Sequence, residues 1–213
     1  EIEFLIEKYQ INMVAVLDEL ISVFPERINL FCERIKKYNL KWMAQMRVDS
    51  VNQDTINMLK DAGCIQISYG IEHVNQAILE NYNKKTTLKQ IESALEMTYA
   101  AGIGIQGNIL LGGPAETDAT IEEAIAWAAK NKKYMLNLTA VIPYPGTDLF
   151  KYGVENKYID PKTFIEAGCP FVNFAGVQIR MPAFFNFGKL IDERMLCKDQ
   201  YRGEISELTA ECP

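Results

Sequence analysis

Apolar residues recur along this chain at two spacings, and the two spacings alternate. Apolar residues three or four positions apart predict helices, whereas a strict alternation of apolar and polar residues predicts strands. Helices are predicted over 2–9, from Pro25 towards Tyr38, between Ser50 and Gly63, from Thr87 to Gly102, and after Thr120. Strands are predicted over 11–18, 40–47, 65–71, 103–111 and 134–142.

Short polar residues mark the starts of several helices. Pro25 suits a first helical turn, where its missing N–H is not needed. A capping box places Ser or Thr three residues before Gln or Glu. This spacing occurs at Ser50 and Gln53, at Thr87 and Gln90, and at Thr120 and Glu123. The three pairs predict where three of the helices begin.

The strand–helix units predict an α/β fold. Strands joined by helices run parallel with right-handed crossovers, and either a (β/α) barrel or an open doubly wound sheet fits this order. The alternation decays later: 153–183 has Gly, Pro and aromatic residues without a clear period, and 184–198 is compatible with a helix. We predict a core over 1–152 and a C-terminal closing segment over 153–213, irregular with a helix.

The predicted strands are polar on one face, which is unusual for a parallel sheet. The polar or small positions are Lys41, Gln45 and Arg47, then Gln66, Ser68, Gly70 and Glu72, then Gly104, Gln106 and Asn108, then Asn137 and Thr139. A closed eight-stranded barrel fills its interior with Val, Ile and Leu. The pattern therefore favours a wide, incompletely closed barrel with a polar lumen, with an open sheet that has one wet face as the alternative.

Charged residues collect where the strands end. Asp18 and Glu19 end the first strand, Arg47 and Asp49 follow the second, and Glu72 ends the third. Ligands of α/β folds bind at this edge of the sheet. Burying a carboxylate is costly unless a partner pairs with it. We therefore predict a polar ligand with hydroxyl and amine donors.

The ends of the last two strands carry loops instead. The fourth strand runs into LLGGPAET, where Gly112 and Gly113 would let a ligand approach the backbone and Glu116 follows. The fifth strand ends in PYPGT (143–147), a stiff loop with exposed backbone acceptors.

Composition narrows the class of protein. The 213 residues are 48% apolar and 23% charged with a net charge of −6, which argues against binding nucleic acid or anionic lipid. No apolar run reaches the roughly 20 residues of a membrane span.

The five cysteines lack metal-binding spacing, so we expect reduced thiols, a cytoplasmic location and no metal site in this chain. The chain opens on Glu1 inside an amphipathic pattern, as a fragment would.

Several residues allow simpler interpretations. Arg47 could pair with Asp49 or Asp18, and Glu72 could be a structural ion-pair partner. Asp18 and Glu19 could cap the following helix. His73 could lie on the surface, serve a cap or contact substrate, and Cys64 fits a core position. The GIGIQG stretch at 102–107 follows a helix and enters a strand, the reverse of a dinucleotide fingerprint.

Five stretches together carry a family resemblance. LDEL, MRVD, LKDAGCIQISYGIEH, NILLGGPAET and PYPGT occur in the order seen in the radical S-adenosylmethionine (SAM) superfamily. Over residues 1–152 the chain resembles the branch that often carries an N-terminal cobalamin-binding domain. That branch includes anaerobic magnesium-protoporphyrin monomethyl ester oxidative cyclases and radical methyltransferases. The resemblance implies a partial (β/α)6 TIM-like barrel whose first strand is missing from this chain.

The resemblance also implies roles for individual residues. Asp18 and Glu19 would receive the SAM amino group, Arg47 its carboxylate, and Glu72, helped by Ser68, its ribose or amino-acid part. The stretch 109–113 would pack the adenine. The remaining implied cofactor contacts are Gln106 and Asn108 on the polar face, Ile109, Leu111 and Gly113 in the adenine stretch, and the backbone near Tyr144.

One departure from the family pattern matters. The CxxxCxxC loop that binds the 4Fe–4S cluster is absent from the chain. By resemblance, the full protein would use SAM, a cluster held by residues outside this chain, and cobalamin bound by a separate domain. It would cleave SAM reductively to a 5′-deoxyadenosyl radical with electrons from flavodoxin or ferredoxin. Oxidation, cyclisation or methyl transfer on a small molecule would follow, and the fragment alone would be inert.

Two other classes of function stay open. An ordinary two-carboxylate or aldolase-type barrel would bind neither iron nor SAM, and no lysine sits centrally on the polar face as a Schiff-base candidate. A non-catalytic scaffold or binding domain would keep the barrel and lack the cluster loop in the whole gene.

Overall fold

A parallel β-sheet with helices between its strands forms the part of the chain that the structure describes, which confirms the α/β class. The computed structural model describes residues 1–18 and 21–161. The strands are β1 (Met13–Val16), β2 (Lys41–Met46), β3 (Cys64–Glu72), β4 (Gly104–Leu111) and β5 (Met135–Ala140). They lie side by side in chain order, and β1–β2, β2–β3 and β3–β4 pair in parallel. Among the described strands the sheet is open, in agreement with a partial barrel.

Seven α-helices occur among the described residues. They are α1 (Ile2–Tyr9), α2 (Pro25–Ile35), α3 (Gln53–Asp61), α4 (Gln76–Asn81), α5 (Leu88–Ala100), α6 (Asp118–Lys130) and α7 (Asp148–Glu155). Short 3-10 turns follow α2 (Lys36–Tyr38) and precede α3 (Val48–Ser50). Within this described part, no helix combines the length and apolar character that crossing a membrane requires.

One of the three predicted capping boxes is confirmed, and two are wrong. Thr87 and Gln90 form the reciprocal pair at the start of α5. Helix α3 is capped by Asn52 instead of Ser50, because Ser50 belongs to the preceding 3-10 turn and donates its hydroxyl to the Arg47 carbonyl. The amide oxygen of Asn52 accepts from the Thr55 N–H at 2.9 Å.

The start of α6 lies earlier than predicted. Thr117 and Thr120 exchange hydrogen bonds, since each backbone N–H donates to the hydroxyl of the other residue at 2.9 and 3.3 Å. The helix therefore begins at Asp118. Glu123, the expected partner of Thr120, instead accepts a hydrogen bond from the Asn75 side chain at 2.7 Å.

One face of the sheet is buried in the core, as the alternation predicted. Trp42, Ile67, Tyr69, Ile71 and Ile109 are fully buried. The buried helix residues include Ile56, Leu59, Ile91 and Leu95. Burial of this apolar surface is the main favourable contribution to folding.

Strand β3 departs from simple alternation at its start. Trp42 pairs with Cys64 and Met43 with Gln66, so Ile65 is an extra residue at a bulge. Ile65 is 38% exposed while Cys64 is 1% exposed. The alternation with Gln66, Ser68, Gly70 and Glu72 predicts that Ile65 lies on the apolar face with Ile67. This prediction is wrong, because a bulge shifts one residue out of register. Cys64 takes the core position, as expected.

The described residues fall into two compact units. The first comprises 1–110 and 122–139, and the second comprises 111–121 and the described residues from 140 onward. The predicted boundary at residue 152 lies inside α7. Most of the predicted closing segment, including 184–198, lies outside the described residues, so this division stays a prediction.

Candidate functional site

A polar cavity lies in the first unit, on the face of the sheet opposite the core. Its volume is about 290 Å³. It is lined by Gln45, Met46, Arg47, Ser68, Gly70, Glu72, Lys84 and Asn108. Four residues that the sequence singled out for SAM binding thus come together: Arg47, Ser68, Glu72 and Asn108. A concave site lined by a few convergent polar groups is the usual form of a small-molecule site.

Glu72 reaches the cavity through an irregular backbone. Gly70 pairs with Asn108 but Glu72 pairs with Ile109, so Ile71 is an extra residue in β3. Glu72 itself has a φ of +65°, a left-handed conformation that a non-glycine residue seldom adopts. Bulges next to functional sites re-aim a side chain. Here the carboxylate accepts a hydrogen bond from the Lys84 ammonium at 2.9 Å.

Arg47 forms a bidentate ion pair with Asp49. Its Nε donates to Oδ1 at 2.9 Å and its terminal nitrogen donates to Oδ2 at 2.6 Å. These hydrogen bonds hold the pKa of Asp49 below its usual value and raise the pKa of Arg47. The positive charge of Lys84 also lowers the pKa of Asp49, to a smaller extent. The pairing with Asp49 is one of the two simpler interpretations that the sequence left open for Arg47.

A row of amide and hydroxyl groups crosses three strands beside the carboxylate. The Asn137 side chain donates to the side-chain oxygen Oδ1 of Asn108, and Nδ2 of Asn108 donates to the Ser68 hydroxyl, both at 3.1 Å. With its oxygen accepting from Asn108, Ser68 keeps its own O–H available to donate. Gln66 and Gln106 form a weaker contact of 3.4 Å between their side chains.

The other predicted contacts of the first unit lie outside the cavity lining. Asp18 forms an ion pair with Arg27, and Glu19 falls outside the described residues. Gln106 is half-buried and contacts Gln66. Ile109 is fully buried on the opposite face of β4, so only its backbone can face a ligand on the polar side.

Leu111, Gly113 and Tyr144 belong to the second unit. Leu111 is fully buried, and its carbonyl accepts from the Val141 N–H at 2.8 Å. The N–H groups of Gly112 and Gly113 both donate to one carboxylate oxygen of the largely buried Glu116. The Tyr144 carbonyl accepts from the hydroxyl of Thr147, which caps α7. Glu116 thus orders the glycine turn, a role that the sequence did not assign.

Sequence reasoning missed Lys84, and of the alternatives it left open for His73 the structure supports the role at a cap. Lys84 lies in a short basic run after α4, and nothing in its local pattern points into a cavity. His73 is fully buried, so the surface position is wrong, and its Nδ1 accepts from the Asn75 N–H at 2.9 Å. Asn75 caps α4, so the histidine supports a cap. The sequence signal for this buried role was the position of His73 directly after Glu72, at the end of a strand.

The cysteines of the described region do not fit a metal centre. Burial raises the pKa of Cys32 to about 11 and that of Cys64 to about 12, which disfavours the thiolate form of both. Metal ligation requires the thiolate. Within 1–18 and 21–161, no group of His, Cys, Asp or Glu side chains could hold a metal ion.

The cavity chemistry fits SAM better than it fits a cluster. A carboxylate accepts hydroxyl or ammonium donors, a guanidinium matches a carboxylate, and hydroxyl and amide groups supply further hydrogen bonds. Glu72, Arg47, Ser68 and Asn108 provide these groups around one cavity. The described residues offer two buried cysteines, Cys32 and Cys64, which is fewer than the three that a CxxxCxxC loop supplies.

Comparisons with known proteins identify relatives of the chain. The sequence profile of the Radical SAM superfamily matches residues 1–128. The chain is 30% identical over 161 residues to an uncharacterised methyltransferase from Pyrococcus horikoshii, covering 75% of this chain and 35% of that protein. It is 29% identical over 155 residues to the anaerobic magnesium-protoporphyrin IX monomethyl ester cyclase of Rubrivivax gelatinosus, covering 71% and 28%.

A solved structure shares the fold. The radical SAM methyltransferase TsrM from Kitasatospora setae, determined with cobalamin and a 4Fe–4S cluster bound, superposes with a TM-score of 0.61 at 16% identity. The match covers 71% of this chain and 32% of TsrM. The chain spans about a third of the length of the curated relatives it matches. Because the superfamily profile matches more than half of its residues, the chain belongs to the radical SAM superfamily.

Proposed function

We propose that the cavity beside Glu72 binds SAM. The observation that supports this most is the convergence of Arg47, Ser68, Glu72 and Asn108, four predicted cofactor contacts from three strands, on one polar cavity. Family membership implies SAM and a 4Fe–4S cluster as cofactors.

Each residue contributes a distinct contact. The Glu72 carboxylate accepts hydrogen bonds from the ribose hydroxyls or from the amino group, and the Ser68 O–H donates beside it. Arg47 pairs with the ligand carboxylate, since its planar donor fork matches two oxygens. It must exchange Asp49 for the ligand, and this is feasible because the Arg47 side chain is 39% exposed.

Other predicted contacts belong to the same proposal. Asp18 and Glu19 receive the amino group, and Gln106 extends the polar row. The backbone of Ile109, Leu111 and Gly113 borders the adenine, and the backbone near Tyr144 binds its edge. Each of these roles rests on the family resemblance.

The full protein is proposed to be a radical SAM enzyme that acts on a small organic molecule in the cytoplasm. When bound, SAM and the cluster supply a radical or a methyl group. Flavodoxin or ferredoxin is the proposed electron donor, and cobalamin the proposed additional cofactor of a separate domain. The sequence holds no CxxxCxxC loop, so the chain alone is expected to bind SAM without cleaving it.

Binding of SAM to the full-length protein, measured by anaerobic calorimetry, tests the site. Glu72→Gln should weaken binding tenfold or more, because a charge-assisted acceptor is lost. Glu80→Gln is the matched control, since Glu80 is an exposed carboxylate on α4 outside the cavity lining. Its affinity should equal that of the wild type. Equal affinities for all three proteins would remove Glu72 from the site.

The type of reaction can be separated by isotope labelling. The relatives include both a methyltransferase and a cyclase, so both outcomes are candidates. SAM with a labelled methyl group should pass its label to the product of a methyltransferase. In a cyclase the label should stay in methionine, and 5′-deoxyadenosine should form in step with product.

A further inference from the structure

Lys84 enters the cavity from outside the sheet. The other lining residues lie on β2, β3 or β4, or directly after β2, whereas Lys84 comes from the turn after α4. Its backbone N–H donates to the Leu79 carbonyl at 2.8 Å, and Asn83 before it has a φ of +53°. The chain thus folds back at this turn and carries the ammonium group to the end of β3.

The Lys84–Glu72 ion pair is the most buried of those described. Its side chains are 17% and 23% exposed, whereas Arg47 and Asp49 are 39% and 25% exposed, and the other described pairs are more exposed still. Exposed ion pairs lose most of their attraction to solvent screening and to side-chain entropy. Because the Lys84–Glu72 pair is less exposed, solvent screens its attraction less than that of the other pairs.

Gly70 makes room for the pair. A Cβ atom at Gly70 would lie 2.5 Å from Glu72 Oε1 and 3.2 Å from Lys84 Nζ, too close for any side chain without displacing them. The carboxylate therefore lies over the Gly70 backbone. The bulge at Ile71, the left-handed backbone of Glu72 and the missing side chain at Gly70 together direct the carboxylate towards Lys84.

We propose that Lys84 is a positioning residue for the ligand-binding carboxylate of Glu72. Its ammonium holds one carboxylate oxygen over Gly70, which leaves the other free to turn towards the donors of a ligand. The inference rests on the proposed SAM site, and it assigns Lys84 an effect on binding that passes through Glu72. Preorganised acceptors bind more tightly because less ordering occurs on association.

A double-mutant cycle tests this role on the full-length protein, with SAM affinity measured anaerobically. Lys84→Met should weaken SAM binding by about five- to tenfold, in the range of a lost charge-assisted contact. Glu72→Gln should weaken it tenfold or more. The double variant should bind no more weakly than Glu72→Gln alone, because a residue that acts through Glu72 has no effect once the carboxylate is gone.

Two further variants separate positioning from folding. Lys84→Arg keeps a cation within reach and should stay within about threefold of wild-type affinity. Lys84→Gln is neutral but retains donors, so it tests the charge if Lys84→Met fails to fold. Its affinity should fall between those of Lys84→Arg and Lys84→Met. Thermal unfolding of each variant gives the fraction folded.

Three results would overturn the inference. Additive losses in the cycle would mean that Lys84 contacts the ligand directly. Unchanged affinity in folded Lys84→Met or Lys84→Gln, with only a lower unfolding temperature, would mean a purely structural ion pair. A wild-type protein that does not bind SAM would remove the proposed function itself, and this result differs from the other two because no variant is needed to see it.

Discussion

The two faces of β3 differ in their surroundings, although their residues alternate along one strand. Ile67, Tyr69 and Ile71 are fully buried on one face, and Ser68 and Glu72 line the cavity on the other. The buried face follows regular parallel pairing through Ile67 and Tyr69. The strand then ends irregularly, since a bulge at Ile71 precedes the left-handed residue Glu72, whose carboxylate forms an ion pair with Lys84. The buried apolar side chains therefore lie on one side and the proposed ligand-binding groups on the other.

This contrast follows from the physics of each face. Apolar contacts are non-directional and require only close packing, which regular strands provide. A ligand site needs particular atoms at particular places, so the backbone there departs from regularity. Substitutions at neighbouring positions of β3 should then separate folding from binding.

The largest effect on stability is expected from a substitution of Ile67 on the buried face. Ile67→Ala should lower the free energy of unfolding by about 2–5 kcal/mol, because it removes buried methyl groups and leaves a cavity. Urea-induced unfolding followed by circular dichroism measures this change. SAM affinity of the folded fraction should stay near the wild-type value.

Ser68→Ala is the neighbouring control. It should lower the unfolding free energy by no more than about 1 kcal/mol, since the cavity is open to water, while weakening SAM binding. Equal destabilisation by both substitutions would show that the two faces are not separable.

The Tyr69–Thr98 pair tests whether polar groups on the buried face also contribute to stability. The Thr98 hydroxyl donates to the Ala94 carbonyl at 2.7 Å, so the Tyr69 hydroxyl is the donor in the 2.8 Å contact between them. Burial raises the pKa of Tyr69, which keeps this donor protonated. Thr98→Val should cost about 1–3 kcal/mol, because it leaves the Tyr69 hydroxyl buried without an acceptor.

The double variant sharpens this prediction. Tyr69→Phe together with Thr98→Val removes donor and acceptor at once and should be more stable than Thr98→Val alone. Denaturant midpoints of the wild type, both single variants and the double variant provide the comparison. A double variant that is less stable than either single variant would contradict it.

The sequence predicted regular features well because their signals are local. All five strands, the buried face and the cap at Thr87 follow from residue spacing alone. The convergence of Ser68, Glu72 and Arg47 followed from the rule that strand ends meet at one edge. Once the period of a strand or helix is known, the face on which a residue lies can be predicted without tertiary information.

The errors fall where structure depends on register or on distant contacts. The bulges at Ile65 and Ile71 arise from pairing with β2 and β4, which the sequence of β3 does not encode on its own. Ser50 and Asn52 both fit a cap, and the 3-10 turn decides between them. Lys84 lies 12 residues from Glu72, and only the turn after α4 brings them together.

The smallest effect on stability is expected at Asp49, the ion-pair partner of the cavity residue Arg47. Its pKa is lowered mainly by the hydrogen bonds from Arg47, so the folded carboxylate loses its proton at a lower pH than the unfolded one. The stabilisation is then fully present above the unfolded pKa of about 3.9 and disappears as the pH falls through the lower folded value. Asp49→Asn should cost less than about 1 kcal/mol at pH 7, because the pair is partly solvated.

Denaturant midpoints at pH 7, 5 and 3 measure this effect. The small difference between wild type and Asp49→Asn should persist from pH 7 to pH 5 and shrink towards pH 3, as the wild-type carboxylate becomes protonated. Arg47→Lys should show a smaller loss, since lysine keeps the charge but not the bidentate geometry. A difference that stays constant down to the lowest pH would assign the loss to packing instead of charge. The cavity face would then stabilise the fold in the same way as the buried face, and the contrast between the two faces would not hold.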